Sequence, residues 1–187
     1  GISKFSANGR NLIYATYIGG NAREQPHSLF VDGAGNLVIS GRTESSNYPA
    51  TATIGTRGGW DLAITKLNAT GSSIIGSLII GGSGNDGVNM DEDRRGPARV
   101  LARNYGDDAR SEVVIDNAGY IYVASSTRSS DFPIVQKNGN VFQPNFGGGQ
   151  DGVVLKITPD CTDVVWSSFL GGSKEDAAYV IALNGLN

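Results

Sequence analysis

Short apolar runs alternate with polar, glycine-rich turns along the whole chain. Residues 31–40 form two apolar stretches around the turn Asp32-Gly33-Ala34-Gly35-Asn36. This pattern is typical of a β-hairpin, because glycine readily takes the positive φ angles of tight turns. Residues 62–67 alternate in the manner of a half-buried strand, and residues 74–80 are rich in β-branched side chains. The pattern predicts four antiparallel strands wherever this set of runs occurs.

The same runs recur in a fixed order. The turn sequence at 66–71 recurs in similar form at 4–9 and at 156–160. The offset is 62 residues from Lys4 to Lys66 and 90 residues from Lys66 to Lys156. Gly-Gly pairs recur with the same two offsets, at positions 19–20, 81–82 and 171–172. The chain therefore contains an internal sequence repeat. Its units cover approximately 4–65, 66–155 with an insertion at 91–110, and 156–187, the last of which is incomplete.

Four antiparallel strands in each unit are typical of a β-propeller blade. We predict an all-β fold, a partial β-propeller of about two complete blades plus two partial ones, in a single domain over 1–187. Inner strands are expected near 28–32, 111–116 and 178–183. Propellers close with about four to eight blades. We therefore expect a fragment of a larger protein, whose partners are other blades of the same polypeptide or further copies of itself.

Composition narrows the class of protein further. The chain has 27 glycines in 187 residues, which disfavours a helical bundle because glycine destabilises helix interiors. No apolar run is long enough to form a transmembrane segment. The formal net charge of -3 argues against nucleic acid as a partner. The single cysteine, Cys161, cannot form an internal disulfide.

The motifs together resemble a known family. Residues 14–20, 31–36, 66–71 and 127–133 resemble the strand and turn motifs of the bacterial SBBP β-propeller repeat family, and the resemblance covers nearly all of the chain outside 91–110. The long second unit also resembles repeats in large gliding-motility proteins of Bacteroidetes, many of which use type IX secretion. The resemblance implies an exported protein, extracellular or on the outer cell surface, with an adhesive or binding role. It implies neither catalytic residues nor a cofactor.

The insertion at 91–110 is the most distinctive segment. It contains five arginines and five carboxylates within 20 residues. Arginine together with tyrosine suits the recognition of carboxylates or sugars. The candidate binding residues are Arg94, Arg95, Arg99, Arg103 and Tyr105. The expected ligand is a surface polysaccharide or another surface protein. The alternative is that the arginines and carboxylates of this loop form salt bridges with one another, and that the loop only covers the unit.

Acidic turns recur at one position of the repeat. Asp86, Asp107 and Asp108 are candidate calcium ligands, because Ca²⁺ takes six to eight oxygen ligands. The regular spacing of a calcium-binding loop is missing, and the alternative is that these side chains bond to their own backbone. Asp61 and Asp151 occupy matching positions and are expected to form a hydrogen bond within a turn or between blades.

Catalytic patterns are poor, so we predict a protein that is not an enzyme. His27 is the only histidine, and no Gly-x-Ser-x-Gly motif is present. The alternative is a polysaccharide-acting lyase or glycosidase that uses carboxylates on the face of the ring. A further alternative is a passive spacer within a large surface protein.

Overall fold

The computed structural model describes residues 1–89, 110–137, 139 and 141–184. In these ranges the chain is all-β and contains no helix. The strands, in chain order, are β1 (Ile2–Phe5), β2 (Leu12–Thr16), β3 (Glu24–Val31), β4 (Leu37–Thr43), β5 (Ala52–Gly55), β6 (Asp61–Leu67), β7 (Ile74–Gly81), β8 (Glu112–Ile115), β9 (Ile121–Thr127), β10 (Asp151–Ile157) and β11 (Val164–Leu170).

The strands form three sheets. The first sheet is the antiparallel hairpin β1–β2, and the third sheet has the order β8-β9-β10-β11 with antiparallel neighbours throughout. The second sheet has the order β3-β4-β6-β7-β5, in which β5 runs parallel to β7. Its first four strands are antiparallel to their neighbours, so the two complete units repeat the same arrangement.

The predicted hairpin turns form at both repeats through the same hydrogen bonds. Asp32 Oδ1 accepts the backbone N–H groups two and four residues further on, at 3.0 and 2.9 Å. Asp116 Oδ1 does the same, with both distances at 2.9 Å. Gly35 and Gly119 follow with φ of 83° and 88°, a conformation that disfavours other residues. The repeated aspartate-to-glycine spacing therefore encodes the turn.

The main hydrophobic core lies between the second and third sheets. It includes Val38, Ile64 and Leu78 from the second sheet and Leu155 and Phe169 from the third. A smaller cluster of Leu37, Ile39 and Leu67 packs against Ile2 of the first sheet.

Strand β6 is buried at every position, so the prediction of a half-buried strand is wrong. The reason is that another sheet packs on each face of the second sheet.

The three predicted inner strands have different outcomes. Strands β3 and β8 confirm that strands form near 28–32 and 111–116, while their position as inner strands of a propeller stays a prediction. The strand predicted near 178–183 does not form, since these residues have no neighbouring strand within the described ranges. Instead, the N–H of Ala178 donates to Ser126 Oγ at 3.2 Å.

The outer edges of both complete units are hydrogen-bonded. Strand β5 covers the edge of β7 in the second sheet. In the third sheet the N–H groups of Ser167 and Phe169 donate to the carbonyl oxygens of Val135 and Gln143, both at 3.1 Å. An irregular segment thus occupies the place that β5 holds in the preceding unit.

Candidate functional site

Asp86, the one candidate calcium ligand among the described residues, lies at a fully buried junction between the second and third sheets. Its Oδ2 accepts the backbone N–H of Gly82 at 2.8 Å. Its Oδ1 accepts the hydroxyl of Thr127, a residue of β9. The carboxylate therefore ties the Gly-Gly segment of one unit to a strand of the next.

The same bond recurs at the other two Gly-Gly pairs. The N–H of Gly20 donates to Glu24 Oε1 at 3.3 Å, and the N–H of Gly172 donates to Asp176 Oδ2 at 2.7 Å. A carboxylate four residues after the second glycine is thus a structural element of the repeat. The sequence showed recurring acidic turns, and their contacts match the alternative in which the side chains bond to backbone.

A second carboxylate lies beside Asp86. A Cβ atom at Gly81 would lie 2.2 Å from an oxygen of Asp61 and 2.6 Å from one of Asp86, so only glycine leaves room for both. Asp61 receives the N–H of Gly58 and the guanidinium of Arg57, each at 3.1 Å. Burial, and to a smaller extent the charge of Asp61, raises the pKa of Asp86 to about 6.

Asp61 and Asp151 form the turn hydrogen bonds that their matching positions predict. Asp61 Oδ1 accepts the N–H of Gly58, and Asp151 Oδ2 accepts the N–H of Gly147 at 2.7 Å. Within the described ranges no cluster of three or more His, Cys, Asp or Glu side chains is arranged to hold a metal ion. Asp107 and Asp108 lie outside the described residues.

We predict that calcium at millimolar concentration leaves the thermal unfolding midpoint of the protein unchanged. The reason is that both oxygens of Asp86 already accept hydrogen bonds from protein donors. The measurement is a thermal melt in calcium and in EDTA. A midpoint that rises with calcium would contradict the prediction, and loss of that rise in Asp86→Asn would assign the calcium effect to Asp86.

The candidate binding residues Arg94, Arg95, Arg99, Arg103 and Tyr105 all lie outside the described residues, so their predicted role stays a prediction. The end of the insertion is described at Arg110. Its guanidinium lies 5.5 Å from the ring centre of Tyr179, and its carbonyl oxygen accepts the hydroxyl of Ser125 at 2.8 Å. The insertion therefore joins β8 beside the 178–184 segment.

His27 takes part in a cluster that the sequence did not reveal. Its Nδ1 lies 3.0 Å from Ser111 Oγ, which in turn lies 2.8 Å from Ser40 Oγ. His27 and Ser111 occupy the same position of the repeat, five residues before Asp32 and Asp116, and this equivalence could have predicted the contact. Both serine hydroxyls are buried. The cluster links β3 and β4 to the residue that precedes β8, and it does not present an accessible nucleophile.

A groove with a volume of about 500 Å³ lies between the first and second sheets. Its lining is largely apolar and includes Ile2, Phe5, Tyr14, Leu29, Val31 and Leu37. Phe5, Leu29 and Val31 are large apolar side chains exposed to solvent. The groove was not predicted, because no single motif marks it.

Strand β1 borders this groove with one edge that has no strand partner among the described residues. In the repeat, β1 corresponds to β6 and β10. Strand β6 pairs with β4 on that edge, and β10 pairs with β9. The groove therefore lies where the repeat elsewhere places a hairpin.

The sequence matches no family model and no curated protein. The resemblance to the SBBP repeats therefore stays a prediction. Within the described ranges, none of the chain forms a helix able to span a membrane.

Proposed function

We propose that this chain is a non-enzymatic repeat module of an exported surface protein, and that a hairpin equivalent to β3–β4, from another part of the same polypeptide or from another copy, occupies the groove beside β1. In this proposal the three sheets are consecutive blades of a partial β-propeller. The observation that carries the binding role is the unpaired edge of β1 next to an apolar groove. Unpaired strand edges bind extended segments by adding a strand to the sheet.

The groove favours a protein ligand over a glycan. Its exposed apolar side chains, Phe5, Leu29 and Val31, match the alternating apolar residues of a strand.

The blade arrangement is supported by contacts between the inner strands. Ser28 and Glu112 occupy the same repeat position in consecutive units, and their side chains meet at 3.4 Å. His27 and Ser111, one residue earlier, meet in the same way. Equivalent residues of neighbouring units approach each other where sheets converge on a common axis, as propeller blades do.

The test is binding of a synthetic peptide with the sequence of residues 24–43, which forms the β3–β4 hairpin. We expect the chain to bind this peptide, and Leu29→Asp to weaken binding by roughly tenfold or more, because the carboxylate would be desolvated in the groove. Isothermal titration calorimetry measures the affinity.

Phe142→Asp is the matched control, since Phe142 is exposed but does not line the groove. It should bind the peptide as the natural chain does. Failure of the natural chain to bind would overturn the proposal and favour a passive spacer.

A further inference from the structure

The lysine that the repeat units share contacts the hairpin that pairs with its strand. Lys66 in β6 forms a salt bridge with Asp32, the residue that opens the turn between β3 and β4, with Nζ 3.0 Å from Oδ2. The two side chains are only 8% and 12% exposed. Lys156 in β10 lies over the rings of Tyr120 and Tyr122 in the β8–β9 hairpin, 4.2 and 5.2 Å from the ring centres. In both complete units the hairpin therefore supplies the partner of this lysine.

Lys4 occupies the same repeat position in β1 and lines the groove. Its Nζ donates to the carbonyl oxygen of Ala69 at 3.5 Å. Lys66 forms the equivalent bond, because its Nζ donates to the carbonyl oxygen of Pro159 at 3.0 Å, and it forms that bond together with the salt bridge to Asp32. The bond that Lys4 already forms is therefore compatible with a carboxylate partner on the side of the groove.

A hairpin docked in the groove would remove water from the ammonium group of Lys4. Among the described residues no carboxylate forms a salt bridge with Lys4. Its Nζ lies 6.0 Å from the ring centre of Tyr14, which is about the limit of a cation–π contact. A buried charge without a partner is costly, so the docked segment must bring a negative group to Lys4.

We infer that Lys4 is a specificity-determining residue of the groove, and that it selects a hairpin whose turn begins with aspartate. The inference rests on the proposed function, because it concerns the same groove and the same docked hairpin. The two oxygens of Asp32 show why aspartate suits this role. Its Oδ1 accepts N–H groups of the turn, whereas its Oδ2 lies 3.0 Å from both Lys66 Nζ and Asn36 Nδ2. Asparagine at this position would keep the oxygen that accepts the turn N–H groups but would lose the charge that the lysine binds.

Calorimetric titration of four pairs tests the inference. The natural chain and Lys4→Met are each titrated with the 24–43 peptide and with the same peptide carrying Asp32→Asn. We expect either change alone to weaken binding by roughly tenfold, because a charge-assisted hydrogen bond is lost. The two changes together should weaken binding no further, since they remove the same bond. Equal affinity of the natural chain for the two peptides, or effects that multiply when the changes are combined, would overturn the inference.

Lys174→Met is the matched control, because Lys174 is exposed, does not line the groove and carries the same charge. It should bind both peptides as the natural chain does. Lys4→Met should bind the Asp32→Asn peptide as tightly as the natural chain binds it, which a misfolded β1 could not do. A natural chain that binds neither peptide would remove the groove proposal together with this inference. Tight binding of both peptides with equal affinity would remove the inference alone.

Discussion

Gly76→Ala is expected to destabilise the protein by about 3 kcal/mol, the upper range for forcing an extra carbon into a packed interior. The added Cβ atom would lie 1.8 Å from the carbonyl oxygen of Asp160, which belongs to the neighbouring sheet. The clashing atom is backbone, so rotation of a side chain cannot relieve the contact. The second and third sheets would have to separate locally.

Urea denaturation measures this effect, and tryptophan fluorescence from Trp60 and Trp166 reports unfolding. Gly33→Ala is the matched control, because a Cβ atom at Gly33 meets nothing within 4 Å. Its unfolding free energy should stay close to that of the natural protein. Equal unfolding free energies for the two variants would refute the close contact at Gly76.

Raising the pH from about 4 to about 6 is expected to lower the unfolding free energy by roughly 2 kcal/mol through Asp86. The pKa of Asp86 is raised from 3.8 to about 6 by burial in the native state. Between these values the folded protein keeps a proton that the unfolded chain has released. Folding is therefore favoured at the lower pH, and this contribution is lost as the pH rises through 6.

The carboxylates whose pKa is lowered affect the unfolding free energy in a different pH range. Hydrogen bonds from Asn36 and Lys66 outweigh the burial of Asp32 and lower its pKa to about 2, so its contribution is lost only as the pH falls below 3.8. The pKa values of Asp131, Asp160 and Asp163 are also lowered. Of these described carboxylates with a shifted pKa, Asp86 is the one whose contribution changes between pH 4 and pH 6.

Asp86→Asn removes the titrating group, so the unfolding free energy of this variant should not show the decrease of roughly 2 kcal/mol between pH 4 and pH 6. Asp176→Asn changes the equivalent carboxylate, which also accepts a glycine N–H, and should keep the decrease. Urea denaturation at several pH values measures the slope. An unchanged slope in Asp86→Asn would show that another group causes the pH dependence.

The strands and hairpin turns could be predicted because their signals are local. The aspartate-to-glycine turns at 32–36 and 116–120 need only residues within the turn. Strand β5 could not be predicted in this way, since its hydrogen bonds go to β7, more than twenty residues further along the chain. The absence of a strand at 178–183 could not be predicted either, because a strand forms only where a neighbouring strand accepts and donates its backbone hydrogen bonds.

The candidate site was only partly predictable, since burial depends on contacts between units. The repeat position of Asp86 was visible in the sequence, but its burial depends on Thr127, 41 residues away. Gly76 stands where Tyr14 and Trp166 carry aromatic rings, and only the stacking of sheets explains the difference. The groove depends on which strand edge lacks a partner, a property of the assembled sheets.

The covered outer edges of β7 and β11 restrict the direction in which material can be added. Strand β5 and the segment containing Val135 and Gln143 occupy the hydrogen-bonding groups that would otherwise allow lateral aggregation. Pairing of a further strand is therefore blocked at these two edges, whereas the edge of β1 beside the groove stays open to one.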